Sequence, residues 1–192
     1  MHKSVKEFSV TTLEVAGFGP AFEAVRLPYG KESKSEMYPG FNSAFEVKNG
    51  EPILIYQYGT AIKVDEADVK LISALVKRGD EHAKVLRGVT VWCDITAPRY
   101  WWQEMDTYRL GAERLSSEST MHIEGRGLSE DELVEMKENL SEGHMQRRIW
   151  MFSYQTLRRI YQQRKNHRLP QWRKFCEWIE TLPLCQDFIT IE

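Results

Sequence analysis

The sequence predicts an α+β domain: a central, mostly antiparallel sheet with helices packed around it and concentrated in the C-terminal half. Three observations predict it. Runs rich in Val, Ile and Thr near residues 5–14, 53–58 and 85–95 have strand length and strand patterning. Helix-start signals fall mostly after residue 98, the strongest being Ser129-Glu130-Asp131-Glu132. The chain has 192 residues, 42% hydrophobic and 28% charged, enough for one domain that needs no disulfide or metal staple.

Taken in order, residues 5–14 alternate loosely and suit an edge or half-buried strand. Gly17-Phe18-Gly19-Pro20 breaks the chain, and residues 21–26 read as a short helix closed by Pro28. Residues 29–51 mix Gly and Pro with Lys, Glu, Ser and Asn and read as a loop or mobile flap. With the strand at 53–58, ended by Gly59, they form a variable loop or hairpin insertion over about 29–60 of a single domain, 1–192. Asp65 can cap a helix over 66–78 that buries Val69, Ile72, Leu75 and Val76 and stops at Gly79. Residues 85–95 are the best strand, ended by Ala97-Pro98, and a helix over 100–109 follows, up to Gly111. The capping box at Ser129 launches a helix carrying Leu133, Met136 and Leu140. A longer helix is expected over 145–166, with Trp150, Tyr154, Leu157 and Tyr161 at helical spacing. A last helix after Leu169-Pro170 carries Trp172, Phe175, Ile179 and Leu182.

Composition excludes several classes of function. Lys+Arg 26 against Asp+Glu 28 gives a net charge of −2, so no overall basic field attracts nucleic acid or an anionic membrane. No apolar run has membrane-helix length, and the N-terminus lacks a signal peptide's apolar stretch. Cys93, Cys176 and Cys185 form no C-x-x-C pair and read as reduced, buried thiols, which implies a cytoplasmic protein. The five His are too dispersed for a metal site, so none is expected. Gly17-Phe18-Gly19 lacks the third glycine and the βαβ setting of a dinucleotide loop, and no G-x-S-x-G elbow occurs. Cys93 falls mid-strand and inward, a poor place for a nucleophile.

Three constellations remain. Trp101-Trp102-Gln103-Glu104, with Asp106, Tyr108 and Arg109, sets large flat surfaces beside groups that can read a heterocycle's edge. On a helix, Trp102, Asp106 and Arg109 share one face and Trp101, Met105 and Tyr108 another. The same aromatics also suit a core or subunit interface. Arg114, Ser116, Ser117, Ser119 and His122 form a Ser-rich, basic loop that can supply hydroxyls and positive charge to a phosphate. Arg147, Arg148, Arg158, Arg159, Arg164 and Arg168 lie in a basic stretch interleaved with aromatics. Several guanidiniums there can converge on a nucleotide, although cations at a helix C-terminus also complement its dipole.

In order and spacing, over about two-thirds of the chain, these features resemble the flavin-dependent thymidylate synthases, the ThyX family, and more closely its divergent phage and prophage members. The family signature is Arg-His-Arg followed by Ser-x-Arg; here Thr107-Tyr108-Arg109 keeps the last Arg, and Ser117-Glu118-Ser119 stands downstream with Arg114 nearby. Residues 29–60 fit least. The resemblance implies reductive methylation of deoxyuridylate, or a close modification of a pyrimidine deoxynucleotide, by reduced FAD, with NADPH and methylenetetrahydrofolate as cosubstrates. It implies a homotetramer with sites shared between subunits. By this resemblance Arg109 and Arg164 bind the nucleotide phosphate and polarise the pyrimidine. Gln103, Glu104, Arg114, Ser116, Ser117 and Ser119 contact substrate; Arg26, His82, Arg87, Tyr108 and His167 contact the flavin; and Trp101 or Tyr108 stacks on an aromatic ring. The missing Arg and His at 107 and 108 leave a second reading open, a nucleotide-binding protein without redox chemistry that sequesters or senses its ligand.

Overall fold

The computed structural model describes residues 7–39, 46–47, 54–57 and 60–191. Its main sheet joins β1 (Ser9–Ala16), β6 (Thr90–Pro98), β8 (Met145–Ser153) and β7 (Ala112–Ser117) in that order, every pairing antiparallel. A second antiparallel sheet runs β2 (Glu36–Pro39), β5 (Thr60–Lys63), β4 (Leu54–Gln57) and β3 (Glu46–Val47). The stretch 29–51 is therefore more than a loop or flap. Two short strands come from it, because pairing with β4 and β5 supplies the hydrogen bonds that its polar composition conceals.

Eight helices surround the sheets among the described residues: α1 (Phe18–Arg26), α2 (Glu66–Lys77), α3 (Arg99–Met105), α4 (Thr120–Ile123), α5 (Glu130–Glu138), α6 (Tyr154–Arg164), α7 (Pro170–Ile179) and α8 (Cys185–Phe188). The caps act as the sequence predicts: Asp65 accepts from the Ala67 amide, and Ser129 with Glu132 closes a full capping box. Gly17 (φ +93°) joins β1 to α1, where a Cβ would lie 1.9 Å from the Gly88 carbonyl oxygen, so only glycine fits.

Several expectations change. The strand expected over 85–95 is a 3-10 turn (Lys84–Arg87) followed by β6, which runs through Ala97-Pro98. The break expected over 17–20 is confined to Gly17, since Phe18, Gly19 and Pro20 form the first turn of α1. The helix expected over 145–166 is strand β8 followed by helix α6. Trp150 and Phe152 face inward at period two, and the Ser153 side chain accepts the Thr156 amide, which marks where the helix starts. The helix expected over 100–109 ends at Met105, so Trp102, Asp106 and Arg109 share no helical face; Arg109 lies on the turn toward Gly111. The Ser-rich segment is strand β7 followed by α4, not a loop.

Val91, Cys93, Ile95 and Ala97 of β6 point into the core. Against them packs an aromatic cluster: Trp101 lies 4.6 Å from Trp172 and 5.6 Å from Phe175, and Trp150 is sandwiched in near-parallel stacks between Trp102 and Phe152. All three cysteines are free and buried, and burial pushes the Cys176 thiol up to about 12. No helix among the described residues is long and apolar enough to cross a membrane.

Candidate functional site

Helix α6 leaves the end of β8 and presents Thr156, Arg159 and Gln163, at spacings of three and four, to the turn between α3 and β7. Between that turn and the loop after α2 lies a cavity of about 610 Å³, lined by Asp80, Glu81, Arg87, Leu110, Gly111, Ser153, Gln155, Thr156 and Arg159. A smaller cleft of about 170 Å³, lined by Thr107, Tyr108, Arg109 and Gln163, continues from it through the shared residues Leu110, Thr156 and Arg159. Three guanidiniums thus line one continuous cleft, faced by the two carboxylates of Asp80 and Glu81.

The cleft is held by its own hydrogen bonds. The Arg87 Nε donates to Gln155 Oε1 (2.7 Å), and the Gln155 Nε2 donates to the Asp80 carbonyl (2.8 Å). The Thr156 hydroxyl donates to the Leu110 carbonyl (2.5 Å) and meets the Ser153 hydroxyl at 3.0 Å. Gly111 (φ +70°) leaves the wall open, since a Cβ there would lie 2.6 Å from both hydroxyl oxygens. Arg159 donates from Nη2 to the Leu110 carbonyl at 3.2 Å, and its Nε stands 4.0 Å from Asp80 Oδ2. That Nε is buried without a hydrogen-bond partner among the described residues, a donor awaiting an acceptor. Arg109 is exposed and has no ion-pair partner among the described residues.

Beside this cleft lies a second cluster centred on Arg164. Its Nε donates to the Tyr108 hydroxyl (2.8 Å), its Nη1 donates to Glu104 Oε2 (2.6 Å) and meets His167 Nε2 at 2.9 Å, and the guanidinium lies 4.5 Å over the Trp172 ring. Trp172 Nε1 donates to the same Glu104 oxygen (3.0 Å), and the Tyr108 hydroxyl donates to Gln163 (2.8 Å). Arg164 is therefore charge-paired within the chain. It lies across Tyr108 from Arg109 and is absent from the lining of the Arg109 cleft.

The other predicted residues lie elsewhere in the chain. Arg26 is held by buried Asp68 at 2.6 Å. Gln103 donates to Glu142 on the surface. Arg114 stands 3.9 Å from Asp106, which also takes both 3.1 Å bonds from Arg148; burial lowers the Arg148 pKa, and that side chain lies 4.4 Å from the Trp102 ring. Ser116 and Ser117 are exposed on edge strand β7, and Ser119 caps α4 by accepting the His122 amide. His82 follows the cavity-lining Glu81 and stands 3.7 Å from its carboxylate. Trp101 is fully buried, so it offers no face to a ligand. Of the basic stretch, Arg147 pairs with Asp94 and Arg158 is buried, donating to the carbonyls of Ile189 and Ile191.

Sequence reasoning missed Arg159 as a lining residue, together with Gln155, Thr156 and Gln163. Reading Ser153 as a helix cap would have set the register that puts Thr156, Arg159 and Gln163 on one face.

No protein-family model matches the sequence, and no curated protein matches it. Solved structures share its fold. Thymidylate synthase X from Helicobacter pylori, crystallised with FAD and dUMP, aligns over 95% of this chain and 97% of its own at 13% identity, with a TM-score of 0.62. A second structure, flavin-dependent thymidylate synthase ThyX from the same organism complexed with FAD and dUMP, aligns over 94% and 97% at 13% identity and a TM-score of 0.61. The chain thus has the α+β fold of the ThyX thymidylate synthases.

Proposed function

We propose that this chain binds a pyrimidine deoxynucleotide and a flavin, and that it is a flavin-dependent thymidylate synthase-like enzyme, a divergent member of the kind phages and prophages carry. The observation that carries the reading is the continuous cleft with Arg87, Arg109 and Arg159 along it, one of whose buried donors has no partner, on a fold whose solved relatives were crystallised with FAD and dUMP. Guanidiniums present forked donors to phosphate, and the carboxylates of Asp80 and Glu81 accept from hydroxyls, so the lining fits a phosphorylated, sugar-bearing ligand.

FAD, when bound, supplies the hydride, with NADPH as reductant and methylenetetrahydrofolate as carbon donor. The chain's own residues bind and orient. Arg87 and Arg159 would hold the flavin's phosphates in the larger cavity, with His82 flanking it and His167 set apart in the Arg164 cluster; Arg109 would face the nucleotide, and Tyr108 would offer its ring for stacking. Glu104 holds Arg164 against Trp172 outside the cleft lining, so Arg164 would fix the Tyr108 hydroxyl in place and would act on a pyrimidine carbonyl only after releasing one of its partners. Gln103, Arg114, Ser116, Ser117 and Ser119 reach a nucleotide only from a neighbouring copy in a homotetramer, and Arg26 acts through the scaffold. A cytoplasmic setting accords with the buried free thiols.

The test is a visible absorption spectrum of the purified protein with and without deoxyuridylate. A flavin band that shifts on adding the nucleotide is expected; a colourless protein that gains no flavin on reconstitution overturns the enzyme. One observation favours the second reading, nucleotide binding without redox chemistry: Arg164 is already neutralised by Glu104. Calorimetry separates the two, since that reading requires nucleotide affinity that does not depend on flavin.

A further inference from the structure

A second cavity, of about 380 Å³, lies between the start of β1, the first turn of α3, the start of β8 and the first turn of α7. It shares no lining residue with the arginine cleft. The charged Glu7 and Lys174 line it, and its apolar walls are Phe8, Pro98, Met145 and Pro170. Two of them are prolines at helix starts, Pro98 capping α3 and Pro170 opening α7, and Phe8 is fixed by edge-on packing 5.4 Å from Trp101. Fixed φ angles and a packed ring make these walls rigid without any ligand.

The polar lining is Glu7, Lys174, Tyr100 and Gln171, and the last two form one short uncharged edge. Gln171 Nε2 donates to the Tyr100 hydroxyl at 2.7 Å. Gln171 Oε1 is buried with no hydrogen-bond partner among the described residues, and the Tyr100 hydroxyl donates its own proton to none of them. An unspent acceptor therefore sits beside an unspent donor. Turning the Gln171 amide over exchanges the roles, with Nε2 as the free donor and the tyrosine oxygen as the free acceptor, but the donor-beside-acceptor pattern survives. The terminal torsion of a glutamine side chain is soft, so the buried oxygen can turn toward the cavity when a donor enters, giving up the Nε2–Tyr100 bond in exchange for the ligand's two hydrogen bonds.

We propose that this cavity is a binding site for a small, flat, neutral ring bearing a lactam edge, an N–H beside a C=O, independent of the arginine cleft. The ring N–H donates to Gln171 Oε1, the Tyr100 hydroxyl donates to the ring carbonyl, and the ring faces pack on Phe8 and the two prolines. Leaving either partner unmet in the bound state costs about tenfold in affinity.

The test uses ligand-observed NMR and calorimetry on the full chain with quinazolin-4(3H)-one, a bicyclic lactam, and its N3-methyl derivative, which lacks the N–H. The parent lactam is expected to bind the wild-type protein at least about tenfold more tightly than the methylated ring, and Tyr100→Phe to weaken the parent by a similar factor. Equal binding of the two rings, or no saturable binding of the parent at millimolar concentration, overturns the proposal. So does undiminished binding to a Tyr100→Phe variant that melts like the wild type, because it puts the ring elsewhere. The comparison of the two rings on the unmodified protein needs no variant to fold.

Discussion

Asp68 offers the sharpest test of how the second sheet is anchored. Its carboxylate is fully buried on α2 and accepts from Arg26 Nε (2.6 Å), the Ser33 hydroxyl (2.8 Å), the Lys34 amide (3.0 Å), and both the amide (3.0 Å) and hydroxyl (2.8 Å) of Ser35. These bonds tie α1 and the segment entering β2 to α2. Burial alone would raise the carboxyl's pKa, but the hydroxyl, guanidinium and amide donors outweigh it and hold the pKa below the usual value. Asp68→Ala strands Arg26 as a buried, unpaired charge, which costs about 3–5 kcal/mol, while Asp68→Asn keeps some acceptor capacity and costs about 2 kcal/mol. The sign of the pH effect follows. Because the folded pKa lies below the unfolded value of about 3.9, the stabilisation is complete above that value and is lost as pH falls through the folded pKa. Urea unfolding at neutral pH and at progressively lower pH measures it. The wild type is expected to lose its advantage over Asp68→Asn as the solution is acidified below about 4. A loss under about 1 kcal/mol for Asp68→Ala, or parallel pH profiles for wild type and Asp68→Asn, refutes the reasoning.

Other substitutions probe the cleft. Gly111→Ala pushes a methyl against the Ser153 and Thr156 hydroxyls at a positive φ, so the variant is expected to lose about 1–3 kcal/mol in thermal melts and to bind ligand poorly in the cavity. Arg159→Gln and Arg109→Gln each remove one charge from the cleft, and nucleotide or flavin affinity by calorimetry is expected to fall about tenfold or more; unchanged affinity in both places the anion elsewhere. Glu104→Gln keeps an acceptor for Trp172 but releases the charge of Arg164, so deoxyuridylate is expected to bind about threefold more tightly at low salt, and weaker binding contradicts that account.

How much of this was legible in the sequence depends on whether the signal was local. The Asp65 cap and the Ser129 box are set by neighbouring residues and appear where the pattern puts them, while the strand expected over 85–95 keeps its alternation but is shifted to Thr90–Pro98. The segment 145–166 was misread because Trp150, Tyr154, Leu157 and Tyr161 keep helical spacing across a strand–helix junction, and only the Ser153 cap betrays the boundary. The strands between 36 and 63 depend on partners rather than on their own composition. The site splits in the same way. Tyr108, Arg109 and Arg87 come together because turns fixed by Gly79 and Gly111 bring their segments to α6, whereas Arg26 was claimed by Asp68 and Gln103 by Glu142, partners distant in sequence that no motif announces.

The distribution of the predicted substrate residues yields one more prediction. Ser117 points outward from edge strand β7, with exposed Leu115 (56%) two residues earlier and exposed Leu110 (75%) at the preceding turn, while Arg109 and Arg159 open on the cleft beside α6. An edge strand carrying apolar residues in water is a natural surface for another copy. If the nucleotide lies between Arg109 of one copy and Ser117 of the next, Arg109→Gln and Ser117→Asp each disable every site in their own homo-oligomer. Mixing the two variants under exchange conditions then rebuilds intact sites wherever a normal Arg109 meets a normal Ser117, about a quarter of all sites by random pairing. Recovery of nucleotide binding to roughly that fraction is expected from calorimetry on the mixture. No recovery, in a mixture shown by native mass spectrometry to have exchanged subunits, overturns a site shared between copies, and unimpaired binding by Ser117→Asp alone removes β7 from the site.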